Sequence, residues 1–270
     1  MRLRASAVPL LLVSWPALSG VALGAGAQSR PILHAAIDST SIAITFDACA
    51  TRSKGYAFDR AVFETLKREQ VPATIFVSGR WIEVHGDAMA ELAASPLIEF
   101  GDHSYDHAHM RELAPDQMAR EIASTEAALA RYGKHAVAFR PPYGEWSSQV
   151  LQVVTQRMQL PVVLWDVVSG DPSDKISASG IVRNVLARTR PGSIIVLHIN
   201  GRGWKTADAM PMVIAQLRER GFRFVHLSEL LAGPRPTDVA AVAEERVAAT
   251  PSEVAVEPAV MPFDPLVPAR

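Results

Sequence analysis

Five short stretches gather the side chains in this sequence that could do chemistry. Thr45-Phe46-Asp47-Ala48-Cys49 offers a carboxylate and a thiol. Gly101-Asp102-His103-Ser104-Tyr105-Asp106-His107 offers carboxylates and two imidazoles four residues apart. Phe139-Arg140-Pro141-Pro142-Tyr143-Gly144 offers a guanidinium, Trp165-Asp166 with the later Asp171 offers two more carboxylates, and Leu197-His198-Ile199-Asn200 offers another imidazole. An H-x-x-x-H pair puts two imidazoles on one helical turn, as a metal ion requires, although surface pairs share that spacing. Asp47 after an apolar run is a candidate acid–base group, and equally a helix N-cap or turn former. Arg140 can hold an anion or close a structural salt bridge. His198 can donate a proton or sit satisfied in a core. Gathered on one face, these groups would make a metal-assisted acid–base site.

The elements between them alternate. Apolar, β-branched runs at Ile42–Phe46, Ala73–Val77, Ile98–Phe100, Val137–Phe139, Pro161–Trp165, Ser193–Leu197 and Phe222–Val225 read as strands. Between them, helical spacing predicts helices over Asp59–Gln70, Asp87–Ala94, Asp116–Tyr132, Ser147–Met158, Ile181–Arg190 and Ala207–Arg220. Gly133 and Gly221 serve as stops. Seven strands alternating with about six helices call for an α/β fold with a parallel sheet, a distorted and partly open (β/α)7-type barrel. An open doubly wound sheet is the alternative, but no Gly-rich phosphate loop follows the first strand. In both, ligands sit at the carboxyl ends of strands, where all five chemical stretches fall.

Composition narrows the classes. The 270 residues are 49% hydrophobic and 20% charged, which excludes a chain disordered throughout. With 27 Lys+Arg against 28 Asp+Glu there is no basic excess for nucleic acid. Cys49 is the sole cysteine, so no disulfide framework or multi-cysteine metal site exists within the chain. Residues 1–27 carry Arg2 and Arg4, an apolar stretch to about Leu23, and Ala25-Gly26-Ala27, the pattern of a cleaved secretory signal peptide. The expected destination is exported, periplasmic or secreted, with no stable membrane insertion after cleavage. Residues 28–40 form a lead-in and 41–232 the catalytic domain. Residues 233–270 read as a disordered tail, because Pro251, Pro258, Pro262, Pro265 and Pro268 forbid long helices and central strands. A short helix near Asp238–Ala249 is the exception considered.

In order, T-F-D, H-S-x-x-H, R-P-P-Y, W-D followed by an Asp, and L-H resemble the five motifs of NodB-homology polysaccharide deacetylases, a carbohydrate esterase family. The likeness runs from Ser41 to Leu231. It implies a distorted β/α barrel that removes N- or O-acetyl groups from sugars with a divalent metal, zinc by preference. By resemblance, His103 and His107 are the imidazole ligands, Asp47 the general base, Arg140 the arginine that holds it, and Asp171 the carboxylate that orients the arginine. His198 matches the general acid, and the backbone N–H of Tyr143 helps hold the oxyanion. Physical chemistry asks for the same parts. An amide needs a polarised carbonyl, an activated water and a proton for the departing amine. A carboxylate paired with arginine stays ionised near neutrality, and an imidazole titrates near working pH.

The first motif departs from the family. Ala48 stands where a second aspartate is the third metal ligand, and a methyl group cannot ligate. Asp47 itself, the Cys49 thiolate, or one of Asp102, Asp106 and His109 could complete the shell. The expected set is His103, His107 and Asp47, with Cys49 packed behind as a small hydrophobe. The expected partner is an N-acetylated glycan, with peptidoglycan, chitin-like oligomers and exopolysaccharides undistinguished. The alternatives are an impaired relative that only binds glycan, and a hydrolase of small amides. Trp146, Trp165 and Trp204 fall in loops near the mouth, where indoles stack on sugars or simply pack.

Overall fold

A computed structural model describes residues 28–36, 39–51 and 56–233. The expected signal peptide, the tail beyond Gly233 and the helix considered near Asp238–Ala249 lie outside the described residues.

The strands are β1 (Ser41–Ala48), β2 (Ala73–Val77), β3 (Ile98–Asp102), β4 (Val167–Val168), β5 (Ile194–His198) and β6 (Arg223–Phe224). All pair in parallel, in the order β3-β2-β1-β5-β4, with β6 beside the start of β1. Every residue of β1 is buried, as expected of a central parallel strand covered on both faces. Its alternation sorts two cores. Ile42, Ile44, Phe46 and Ala48 belong to the large apolar layer shared with the helices, whereas Ala43 belongs to the barrel interior with Phe76, Val163 and Ile194. Thr45 and Asp47 continue that inward row.

The helices are α1 (Arg60–Arg68), α2 (Gly79–Val84), α3 (Gly86–Ala94), α4 (Pro115–Ala130), α5 (Ser148–Gln152), α6 (Ala178–Arg188), α7 (Thr206–Glu219) and α8 (Leu227–Ala232). α1 starts where the Asp59 side chain accepts from the Val62 N–H, and it buries Val62, Phe63 and Leu66. The α2 and α8 helices are too short for periodicity to announce. The helix expected over Ser147–Met158 is α5 followed by a wider π turn at Val153–Arg157.

The runs expected as strands at Val137–Phe139 and Pro161–Trp165 are present as extended chain joined by single bridges. Phe139 pairs with Asp102 on one side and Val162 on the other. On its far side Val163 pairs with Ile32, and His34 pairs with Ser193 at the foot of β5. The segment around Ile32–Ala35 thus wedges between two walls that have splayed apart, and it completes a distorted, partly open barrel. Gln28 extends the seam by exchanging two side-chain hydrogen bonds with the Val162 backbone, at 2.8 and 3.0 Å.

Candidate active site

The register of β1 against β5 makes Asp47 and His198 direct neighbours at the carboxyl end of the barrel. Adjacent in-register side chains on parallel strands point to the same face. Burial alone would raise the Asp47 carboxyl. Arg140, whose Nη1 donates to Asp47 Oδ1 at 2.7 Å, outweighs it with help from His103 and His198, so the carboxyl lies below its usual range. Arg140 is fully buried, with its guanidinium 3.9 Å from the centre of the Phe76 ring. Its Nη2 donates to Thr45 Oγ1 at 2.9 Å and to the Leu164 carbonyl at 3.2 Å.

His198 is treated oppositely. Burial alone would lower its pKa, but Asp171 raises it above the ordinary histidine value. The Nδ1–H donates to Asp171 Oδ1 at 2.9 Å, which leaves Nε2 as the site-facing nitrogen. Asp171 Oδ2 accepts the His198 backbone N–H at 2.7 Å and the Thr206 hydroxyl at 2.6 Å, and Ser169 Oγ donates to Oδ1 at 3.0 Å. The role expected for Asp171 is therefore corrected. It orients the imidazole of His198, not Arg140, because the turn after β4 brings it under the end of β5. Thr45 and the Leu164 carbonyl orient the arginine instead.

The histidine pair stands opposite. The His103 Nδ1–H donates to the Arg140 carbonyl at 2.7 Å, so its Nε2 keeps a lone pair and lies 3.7 Å from Asp47 Oδ2. His107 packs 5.0 Å from the His103 ring and 4.5 Å from the Tyr143 ring. Burial keeps both imidazoles in the neutral, ligating form, with His107 lowered to about 2. Buried His107 Nδ1 has no hydrogen-bond partner among the described residues. A backbone carbonyl that fixes one imidazole and an orphaned nitrogen on the other suit a divalent cation. Yet among the described residues no group of three or more His, Cys, Asp and Glu side chains is drawn together to hold one. The fit is to two imidazoles, with Asp47 Oδ2 beside them.

The other candidates for the missing ligand are engaged elsewhere. Ala48 is buried in the same apolar layer as Phe46. Burial pushes the Cys49 thiol up to about 12, and its Sγ accepts from Asn200 Nδ2 at 3.1 Å, so it is a neutral packed group. Asp106 is ion-paired with Arg80, and His109 with Glu145. Asp102 accepts the Ser104 N–H, and burial raises its carboxyl well above the usual range. Asp166 lies at the opposite end of β5, where it binds the Ile194 N–H and Ser193. Trp204 is exposed and Trp146 is at the rim, whereas Trp165 packs near Arg140.

Sequence reasoning passed over Thr45, Asn200, Thr206 and Glu121. Thr45 carried a signal, since it lies two residues before Asp47 on one strand face. Glu121 on α4 accepts the backbone N–H groups of Tyr105 and Asp106, at 2.9 and 2.8 Å, and so shapes the histidine loop. No local pattern announces such a distant acceptor.

The polysaccharide deacetylase family model matches residues 35–161. A peptidoglycan-N-acetylglucosamine deacetylase of Bacillus cereus is 31% identical over 220 residues, covering 80% of this chain and 76% of the relative. A chitooligosaccharide deacetylase of Azorhizobium caulinodans is 31% identical over 199 residues, covering 68% and 90%. The structure of the Bc1960 peptidoglycan N-acetylglucosamine deacetylase superposes with a TM-score of 0.68 at 28% identity, over 75% of this chain and 93% of that one. A family 4 acetyl xylan esterase from Clostridium thermocellum, solved with a cobalt ion, superposes at 0.63 and 28% identity, over 71% and 90%. Barrel, strand-end chemistry and kinship agree that this deacetylase-like hydrolase of carbon–nitrogen bonds belongs to the polysaccharide deacetylase family.

Proposed function

We propose that the protein is an exported, metal-assisted deacetylase of N-acetylated glycans. One observation carries the mechanism: Asp47 and His198 are register partners whose pKa values are driven apart, one down and one up. Groups separated in this way divide the work of base and acid. His103 and His107, with Asp47 beside them, would hold the divalent ion, zinc by preference. When bound, such an ion supplies Lewis acidity to the acetyl carbonyl. Asp47, ionised by its pairing with Arg140, takes a proton from the attacking water as its oxygen bonds to the acetyl carbon. The backbone N–H of Tyr143, on a left-handed turn at φ 61°, is the donor proposed for the oxyanion. His198 Nε2 then gives its proton to the sugar nitrogen as the C–N bond breaks, leaving acetate and an amino sugar. Asp171 holds that imidazole by Nδ1 throughout.

Export rests on Arg2, Arg4, the apolar run and Ala25-Gly26-Ala27. Among the described residues no helix is long and apolar enough to cross a membrane. The test is metal analysis of the purified chain, coupled to acetate release from peptidoglycan, chitin oligomers and exopolysaccharide. We expect release from at least one, and a fall of about a hundredfold or more in His198→Ala with metal content unchanged. Bound metal with no release from any glycan would make the protein a glycan-binding relative.

A further inference from the structure

Among the described residues, several charged groups at the mouth of the barrel come in pairs. Asp47 pairs with Arg140, Asp171 with His198, and Glu145 lies 3.0 Å from the His109 ring nitrogen. Arg202, four residues beyond His198, is partly buried, yet its guanidinium has neither an ion-pair partner nor a hydrogen bond among the described residues. Its guanidinium carbon lies 5.8 Å from the centre of the Tyr56 ring. Every other described arginine is ion-paired or exposed to solvent.

The turn that presents Arg202 is built rigidly. Gly201 has φ +75°, a conformation that side-chain-bearing residues rarely adopt. At Gly203 a Cβ would come within 2.1 Å of Thr206 Oγ1 and 2.8 Å of Asp171 Oδ2. The Trp204 N–H donates to the Asp171 carbonyl at 3.2 Å, so the turn is anchored to the residue that holds His198. On the same turn Trp204 is 60% exposed, an indole open to a sugar ring.

We infer that Arg202 reads a carboxylate on the substrate, so that the glycan taken by this site bears an acidic group on, or next to, the N-acetylated sugar. A neutral glycan would offer the guanidinium only uncharged hydroxyl and carbonyl acceptors, a weaker return for its desolvation than an ion pair gives. A carboxylate offers two acceptors to its fork. The inference rests on the proposed deacetylase reading, and it selects within it against purely neutral oligomers.

The test uses the full chain and three tetrasaccharides. One alternates N-acetylglucosamine with N-acetylmuramic acid, the second is its methyl ester, and the third is neutral N-acetylglucosamine throughout. Acetate release and direct binding are both measured. We expect the acid to be preferred over its ester by roughly tenfold or more in kcat/KM, through KM, and less so at high salt. Arg202→Gln should collapse that ratio and Arg202→Lys should restore part of it. A ratio of one in the wild type, or one that survives Arg202→Gln, overturns the inference. So does an equal fall in kcat on acid and ester, which would put the arginine on the reacting group. If no glycan releases acetate, the deacetylase reading fails, and the acid-to-ester ratio of Kd values in wild type and Arg202→Gln still decides the role of Arg202.

Discussion

The two walls of the site are finished to different degrees. On the wall formed by β5 and the turn after β4, the Asp171 carboxylate accepts from an imidazole, a backbone N–H and two hydroxyls, and His198 is locked by it. Across the mouth stand the end of β3 and the Arg140 segment. The buried side-chain atoms without a hydrogen-bond partner among the described residues are Asp102 Oδ2, His107 Nδ1 and Arg140 Nε, all on that side. Ser104 and His107 are also left-handed there, at φ 59° and 55°. Orphaned polar atoms and strained non-glycine backbone are costs that folding alone does not reward. The polypeptide completes one wall by itself, and the other is shaped for something that must be added.

The largest test of this contrast is removal of the histidines. His103→Ala and His107→Leu should each strip a ligand, take metal content to background and abolish acetate release. His107→Leu should nonetheless leave the Tm of metal-free protein unchanged or higher, since it replaces an orphaned buried imidazole with an apolar group. A clear drop in calorimetry of the metal-free variant would show that this wall is complete without an ion. A smaller effect, on the other wall, is expected of Asp171→Asn. Losing the carboxylate that raises the His198 pKa should lower turnover by roughly 10²-fold with metal retained, and move the alkaline limb of the pH–rate profile to lower pH. The sign follows from the acid being active while protonated, so its rate falls as pH rises through the raised pKa. The same pair stabilises the fold at pH below the ordinary histidine value, and that contribution is lost as pH climbs past the raised one. An alkaline limb that stays put would detach Asp171 from the acid. The smallest effect belongs to Cys49, behind both walls. Cys49→Ser should keep the metal and cost about 1 kcal/mol or less of stability, and the native thiol should resist thiol reagents at about pH 8. Loss of metal in that variant would make the thiol a ligand.

The finished wall was also less legible. His198 and Asp171 stood out by type, but what Asp171 holds depends on how the turn after β4 folds under β5, which no spacing reveals. The opposite wall was legible in kind, because two histidines four apart and an arginine before two prolines are local patterns. Strands β1, β2 and β5 were readable from β-branched runs long enough to be buried on both faces. Phe139 and Val162 were readable as extended chain, but not as single bridges, because their pairing is set by barrel curvature. Ala48 offers only a methyl group, which cannot ligate. That it belongs to the helix-facing layer follows from alternation along β1, a rule the sequence already contained.

The wedge near Ile32 has a kinetic consequence. Gln28 and its partner Val162 are 134 positions apart, so the seam joins segments far apart along the chain. Closing so long a loop is entropically costly and is repaid only when the remaining wall stands, which makes sealing a late event in folding. Until then the extended chain around Pro161–Trp165 presents an unpaired edge to other molecules. The segment around Gln28–Ala35 is thus expected to close the barrel late, and refolding protein that lacks this closure is expected to self-associate more readily.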